Sequence, residues 1–163
     1  NEIVLDELAQ IFGAPFIYYS KNINKSFRNS SYKLGIPILL FEGGKSFNID
    51  NTITNTGVNG IKRVLHHLEM LGSKFKVSKP KNNCTKITDS MWMRAKHSGM
   101  FKATISVNTQ VKKGDILGHI TDPYGSFNHF VKAPSDGYIF TVNQSPIIYQ
   151  GDAIFHISTK LES

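Results

Sequence analysis

The arrangement of apolar and polar positions changes character along this chain. Val4, Leu5, Leu8, Ile11 and Phe12 recur at helical spacing over residues 2–12, with Gly13 as a helix C-cap and Pro15 as a stop. Phe16-Ile17-Tyr18-Tyr19 then reads as a short strand, and Lys21 to Lys33 as a polar loop holding Ser26, Arg28, Asn29 and Ser30. The run from Ile36 to Phe41 is continuously apolar, which is the pattern of a strand covered on both faces in a parallel sheet. Residues 45–56 read as a second polar loop. Residues 57–71 give the clearest helix, with Ile61, Val64, Leu65, Leu68 and Leu71 on one face, Lys62, His66 and Glu69 away from it, and Gly72 at its end.

Helix, strand, strand, helix is too little to cover two strands of the buried kind. The pattern implies an α/β part, residues 1–75, that belongs to a larger domain whose N-terminal part lies outside these residues. From Cys84 onward no helical period persists, and short β-rich runs alternate with Gly and Pro. An internal repeat spans residues 84–160. Ser98-Gly99-Met100-Phe101 leads to Gly114-Asp115-Ile116-Leu117-Gly118-His119-Ile120, and Asp136-Gly137-Tyr138-Ile139 leads to Gly151-Asp152-Ala153-Ile154-Phe155-His156-Ile157. Two such copies predict an all-β, sandwich-like barrel with pseudo-twofold symmetry.

Composition narrows the class of molecule. With 40% hydrophobic and 19% charged residues the chain is ordinary globular protein, and no apolar run approaches the roughly 20 residues that cross a bilayer. It opens on Asn1 without a signal-peptide pattern, which fits a piece of a longer protein or a processed product. Cys84 is the single cysteine, so neither an internal disulfide nor a zinc–cysteine cluster can form, and a reducing, cytoplasmic setting is the expectation. The net charge of +7 permits nucleic acid as a partner, but the lysine cluster Lys74, Lys76, Lys79, Lys81 and Lys86 falls in a linker and no nucleic-acid motif accompanies it. The expected partner is a small-molecule substrate, with neither nucleic acid nor membrane, and with self-association as a means of covering an open sheet edge.

Glu42 is the odd residue of the first half. A carboxylate ending a buried strand is hydrated, paired or catalytic, and ligands of open α/β sheets bind at that strand end. Gly43 and Gly44 allow a sharp turn beside it. A solvated strand-end carboxylate gives the same pattern. His66 and Glu69 form a His-x-x-Glu pair, but on the polar side of a helix, with no third ligand, they read as a solvated face. His119 and His156 occupy equivalent places in the repeat and read as strand residues. His97 and His129 have no partner that the sequence names. The repeat resembles the barrel-sandwich hybrid of biotinyl and lipoyl carriers. The turn between the copies, Thr121-Asp122-Pro123-Tyr124-Gly125-Ser126, lacks the lysine that a carrier modifies, and Lys132 comes too late. A β-rich carrier or binding module without catalysis is thus the second reading.

A more specific resemblance covers nearly the whole chain. Gly35-Ile36-Pro37 through Phe41-Glu42-Gly43-Gly44, then Gly57-Val58-Asn59-Gly60-Ile61 and Leu68-Glu69-Met70-Leu71, followed by Thr121-Asp122-Pro123-Tyr124-Gly125, Ala133-Pro134-Ser135-Asp136-Gly137 and Gly151-Asp152-Ala153-Ile154, resemble the C-terminal portion of the succinylglutamate desuccinylase/aspartoacylase family. The resemblance implies an α/β remnant of a zinc-carboxypeptidase-like domain followed by an all-β barrel-sandwich-hybrid-like domain. It also implies zinc-dependent hydrolysis of an amide bond in a small N-acylated amino acid or related compound. Glu42 then matches the catalytic glutamate, which takes a proton from the metal-bound water and passes it to the leaving amine. Arg28 becomes a clamp for a substrate carboxylate. The family's zinc ligands, a His-x-x-Glu motif and a later His, lie upstream of the matched region. Zinc is therefore expected in the complete protein with its ligands outside this chain, and the chain alone is expected to be inactive.

Overall fold

The computed structural model describes residues 2–46, 48–80 and 84–162. The chain divides into two compact units, Asn1–Thr85 and Lys86–Ser163.

The first unit begins with α1, Glu2–Phe12, which ends where Gly13, at φ +72°, donates its N–H to the Ala9 carbonyl. The strand β1 is only Phe16–Tyr18. The expected loop after it holds a helix, α2, Phe27–Lys33. Ser26 caps it by accepting the Asn29 N–H at 3.1 Å. At the other end Gly35 N–H reaches the Tyr32 carbonyl and Ile36 N–H the Ser31 carbonyl, a Schellman closure with Gly35 at φ +70°. Gly35 therefore ends a helix and does not open a strand.

The apolar run Ile36–Phe41 is the larger correction. It forms no strand, and most of its side chains are exposed. A parallel strand is held by ladders to neighbours on both sides, and no described strand of this unit pairs with it.

The long helix α3 runs Asn51–His67, six residues earlier than its apolar pattern suggests. Asp50 starts it by accepting the N–H groups of Thr52 and Ile53. It stops before Gly72, in a second Schellman closure: Glu69 N–H to His66 carbonyl and Met70 N–H to Leu65 carbonyl, with Glu69 at φ +57°. Its buried positions are Gly57, Gly60 and Arg63, whereas Ile61 is 55% exposed and Leu68 is exposed too. The packed side is thus turned toward Gly60 and Arg63 from the centre of the apolar stripe, leaving Val64 and Leu65 half-buried and Ile61 and Leu68 exposed. Gly57 and Gly60 explain why. A methyl group on Gly60 would lie 2.6 Å from the Phe12 ring and one on Gly57 3.1 Å from the Phe41 ring, so the two glycines let aromatic rings lie flat on the helix.

In the second unit the strands are β2 (Thr85–Arg94), β3 (Gly99–Ala103), β4 (Thr109–Val111), β5 (Ile116–Thr121), β6 (Asn128–Lys132), β7 (Gly137–Val142), β8 (Ile147–Ile148) and β9 (Ala153–Leu161). One sheet carries β2-β9-β7-β4 and the other β6-β5-β3-β8. Each order maps onto the other by exchanging the two copies of the repeat. The turns match as well. Asp115 accepts the Lys112 N–H and Asp152 the Tyr149 N–H, both at 2.8 Å. Gly114 N–H donates to the Ala133 carbonyl and Gly151 N–H to the Ala95 carbonyl, both at 2.9 Å. The core between the sheets holds Phe101, Leu117, Ile120, Ile139, Ile148, Ile154, Phe155 and Ile157, all buried.

Candidate active site

The corner that presents Glu42 is fixed by its neighbours. Phe41 packs its ring against Phe12, centroids 5.0 Å apart, and over Gly57 of α3. One residue past Glu42, a methyl group on Gly43 would fall 2.7 Å from Ile53 Cγ2, so only glycine fits without moving Ile53. Gly44 follows at φ +95°. The backbone of Glu42 is thus held on both sides by contacts to α1 and α3 while its carboxylate is exposed. No hydrogen bond or ion pair ties that carboxylate to the described residues.

Arg28 sits on α2, half-buried. Its Nη1 donates to Ser20 Oγ at 2.6 Å, and its Nη2 donates to the Ser20 carbonyl at 2.7 Å and to Asn22 Oδ1 at 3.2 Å. These bonds fold the 20–22 segment onto the helix. The Nε–H and one Nη1–H are not engaged by the described residues. No hydrogen bond or ion pair joins Arg28 to Glu42.

The His-x-x-Glu pair does not form a helical face. His66 is in the last turn of α3, whereas Glu69 lies beyond the helix in left-handed backbone. Among the described residues no three His, Cys, Asp or Glu side chains converge as a metal site. Burial pushes the Cys84 thiol up from its ordinary pKa, with the nearby Arg63 guanidinium opposing it. Lys81 lies outside the described residues.

In the second unit, His119 and His156 are strand residues at equivalent sheet positions. His119 opposes Phe130 on β6, and His156 opposes Trp92 on β2. His156 is buried, stacks on Trp92 at 4.0 Å, touches Phe140, and places Nε2 2.9 Å from Ser90 Oγ. Burial lowers its pKa to about 4, so the ring is neutral at pH 7. His97 and His129, for which the sequence offered no partner, stack on each other at 3.8 Å, with Phe127 against His129. No period or spacing could have joined them, because the pairing comes from the approach of β6 to the segment before β3.

No protein-family model and no curated protein sequence matches the chain. Solved structures do match its fold, a mixed α/β arrangement with two sheets. A succinylglutamate desuccinylase/aspartoacylase from Rhodobacter sphaeroides superposes with a TM-score of 0.81 at 19% identity, over 95% of this chain and 48% of that one. The product-bound ectoine utilization protein EutE (DoeB) from Ruegeria pomeroyi gives 0.80 at 15% identity, over 97% and 49%. A succinylglutamate desuccinylase from Silicibacter sp. TM1040 gives 0.80 at 18% identity, over 99% and 50%. The chain spans about half the length of the structures it matches, consistent with a C-terminal portion.

Proposed function

We propose that this chain is the C-terminal portion of a zinc-dependent hydrolase that cleaves an amide bond of a small N-acylated amino acid or related compound. The observation that carries the reading is the first unit itself. The whole chain matches about half of a larger solved structure, and its first unit leaves Ile36–Phe41 exposed and ends that run in a pinned, solvent-facing carboxylate. In this reading Ile36–Phe41 becomes a covered strand of a carboxypeptidase-like sheet once the rest of the domain is present, and residues outside this chain hold the zinc.

Within the chain's own residues, Glu42 takes a proton from the attacking water and returns it to the leaving amine. A fixed backbone with a free side chain suits that task, since the carboxylate must reach two positions in one turnover. Arg28 orients the substrate through a carboxylate, using the N–H groups that Ser20 and Asn22 leave open. The setting proposed is cytoplasmic; among the described residues no helix is long and apolar enough to cross a membrane.

The test is Glu42→Gln in the complete protein, assayed on a panel of N-acylated amino acids beside wild type. A general acid–base group contributes about 10²–10⁴-fold, so kcat should fall by that factor with zinc content unchanged. Retained activity removes Glu42 from the mechanism, and loss of zinc together with activity makes it a ligand instead. A covalent lipoyl or biotinyl group on a lysine in the intact mass spectrum would favour a carrier.

A further inference from the structure

Within the first unit, α1, the end of α3 and residues 77–80 line an open surface cavity of about 560 Å3. That is the size of an ordinary small-molecule site. Its polar lining comes from Gln10, Arg63, His66, His67, Ser78 and Lys79, and its apolar walls from Ile11, Val77 and Pro80. No carboxylate lines it. Two carboxylates of α1 touch its lining residues from outside: Asp6 accepts from Gln10 and from Tyr19, and Glu7 lies 3.4 Å from His67 Nε2.

Arg63 is the unusual residue, a charged group only 9% exposed. Its counterweight is not an acid but the C-terminal carbonyls of α1. Nε–H is shared between the Ile11 and Phe12 carbonyls, Nη2 donates to Phe12, and Nη1 makes a long 3.4 Å contact to the Ser78 carbonyl. A guanidinium has five N–H groups. Three are engaged, which leaves one on each terminal nitrogen without an acceptor among the described residues. A buried cation is costly unless it is paired or fully hydrogen-bonded. Neutral carbonyls satisfy part of its hydrogen bonding and none of its charge.

We propose that this cavity binds a small oxyanion-bearing organic molecule, with the anionic group on the free N–H groups of Arg63 and the Lys79 ammonium, and the organic body against Ile11, Val77 and Pro80. The anion supplies the charge that α1 cannot, in the planar, two-point geometry that guanidinium favours. The cavity volume exceeds what a bare phosphate fills, and the apolar walls are wasted on one. Phosphate and carboxylate share this chemistry, and the probes below separate them.

The experiment is an NMR titration of the isotope-labelled full chain with phenyl phosphate, benzoate and inorganic phosphate at constant ionic strength. Saturable shifts at the Arg63 Nε–H and the His66 and His67 rings are expected, with millimolar or tighter affinity for at least one aromatic probe. The order of phenyl phosphate and benzoate then names the anion. Inorganic phosphate should bind at least several-fold more weakly than phenyl phosphate. Arg63→Lys risks releasing α1, so Lys79→Ala is the primary variant. Lys79 is exposed, and its loss should weaken binding about tenfold, the value of one charge-assisted contact, with the amide spectrum otherwise intact. Shifts that never saturate, that are equal for all three anions, or that survive Lys79→Ala unchanged overturn the proposal. So does competition by single-stranded RNA with a steep salt dependence, which would make the basic surface a phosphodiester site. Hydrolysis is not read in this experiment, so its failure leaves the role of Glu42 standing, and the reverse holds too.

Discussion

The two units are built from similar proportions of apolar residues and use them in opposite ways. All thirteen apolar residues that are buried among the described residues, from Ile87 to Ile157, belong to the second unit. The first has none. Its buried positions are Ser31, Gly57, Gly60 and Arg63, while Ile36, Leu40, Phe27, Tyr32, Leu34, Val58 and Ile61 are exposed. Apolar burial at roughly 25 cal/mol per Å2 is the main force favouring a folded state. The second unit has therefore closed its own core, whereas the first leaves many of its large apolar side chains exposed. The repeat accounts for the difference. Two copies that exchange strands give each sheet a partner of matching shape. The first unit carries no such repeat and has no internal partner for its exposed apolar surface.

The largest effect should come from separating the units. Residues 86–163 alone should give dispersed amide resonances and a cooperative urea transition, whereas residues 1–85 alone should not. A dispersed, monomeric 1–85 would break the contrast. Next in size is a matched pair of truncations. Phe155→Ala removes a fully buried ring and should cost about 3–5 kcal/mol of the second unit's stability, read by urea denaturation. Leu40→Ala removes a side chain that is 56% exposed and should stay within about 0.5 kcal/mol in this chain. In the complete protein the Leu40 cost should rise several-fold if the run becomes a covered strand.

Gly60→Ala sharpens the comparison inside the first unit. Helix propensity favours alanine by about 1 kcal/mol, but its methyl group would strike the Phe12 ring, so a net loss of about 1–2 kcal/mol is expected from overpacking. A gain in stability would mean that α1 is held to α3 only loosely. The smallest effect is the pH response of the second unit. His156 titrates at about 4 in the folded state and near 6.5 when unfolded, so the unfolded state binds more protons between those values. Stability should be full above about pH 6.5 and fall by about 1–2 kcal/mol as pH drops to 4, allowing for partial solvent screening. His156→Gln should flatten that slope.

Several elements were legible because their signals are local. The spacing of Val4, Leu5, Leu8, Ile11 and Phe12, closed by Gly13, specified α1. The Gly-Asp turns at 114–115 and 151–152 specified the repeat, since an aspartate that bonds the N–H three residues back acts within its own turn. The helix α2 was also written in the sequence, as Ser26 for its start and Gly35 for its end. Its body, Phe-Arg-Asn-Ser-Ser-Tyr-Lys, has no apolar period and so carries only the terminal signals. The first turns of α3 were hidden by the same polar composition, although Asp50 marks their beginning.

The tertiary structure decided what depends on distant partners. An apolar run is a strand only if other strands reach it, and Ile36–Phe41 has the composition of one without the neighbours. Which edge of the apolar stripe of α3 is packed was settled by Phe12 and Phe41 lying on Gly57 and Gly60, which leaves Ile61 and Leu68 exposed. The burial of Arg63 against the end of α1, 51 residues away in sequence, and the stacking of His97 on His129 arise in the same way. The sequence by itself determined the elements whose hydrogen bonds close within a turn or within the repeat. Pairings across long stretches of chain were left to the fold, because their energy comes from surfaces that no local pattern records.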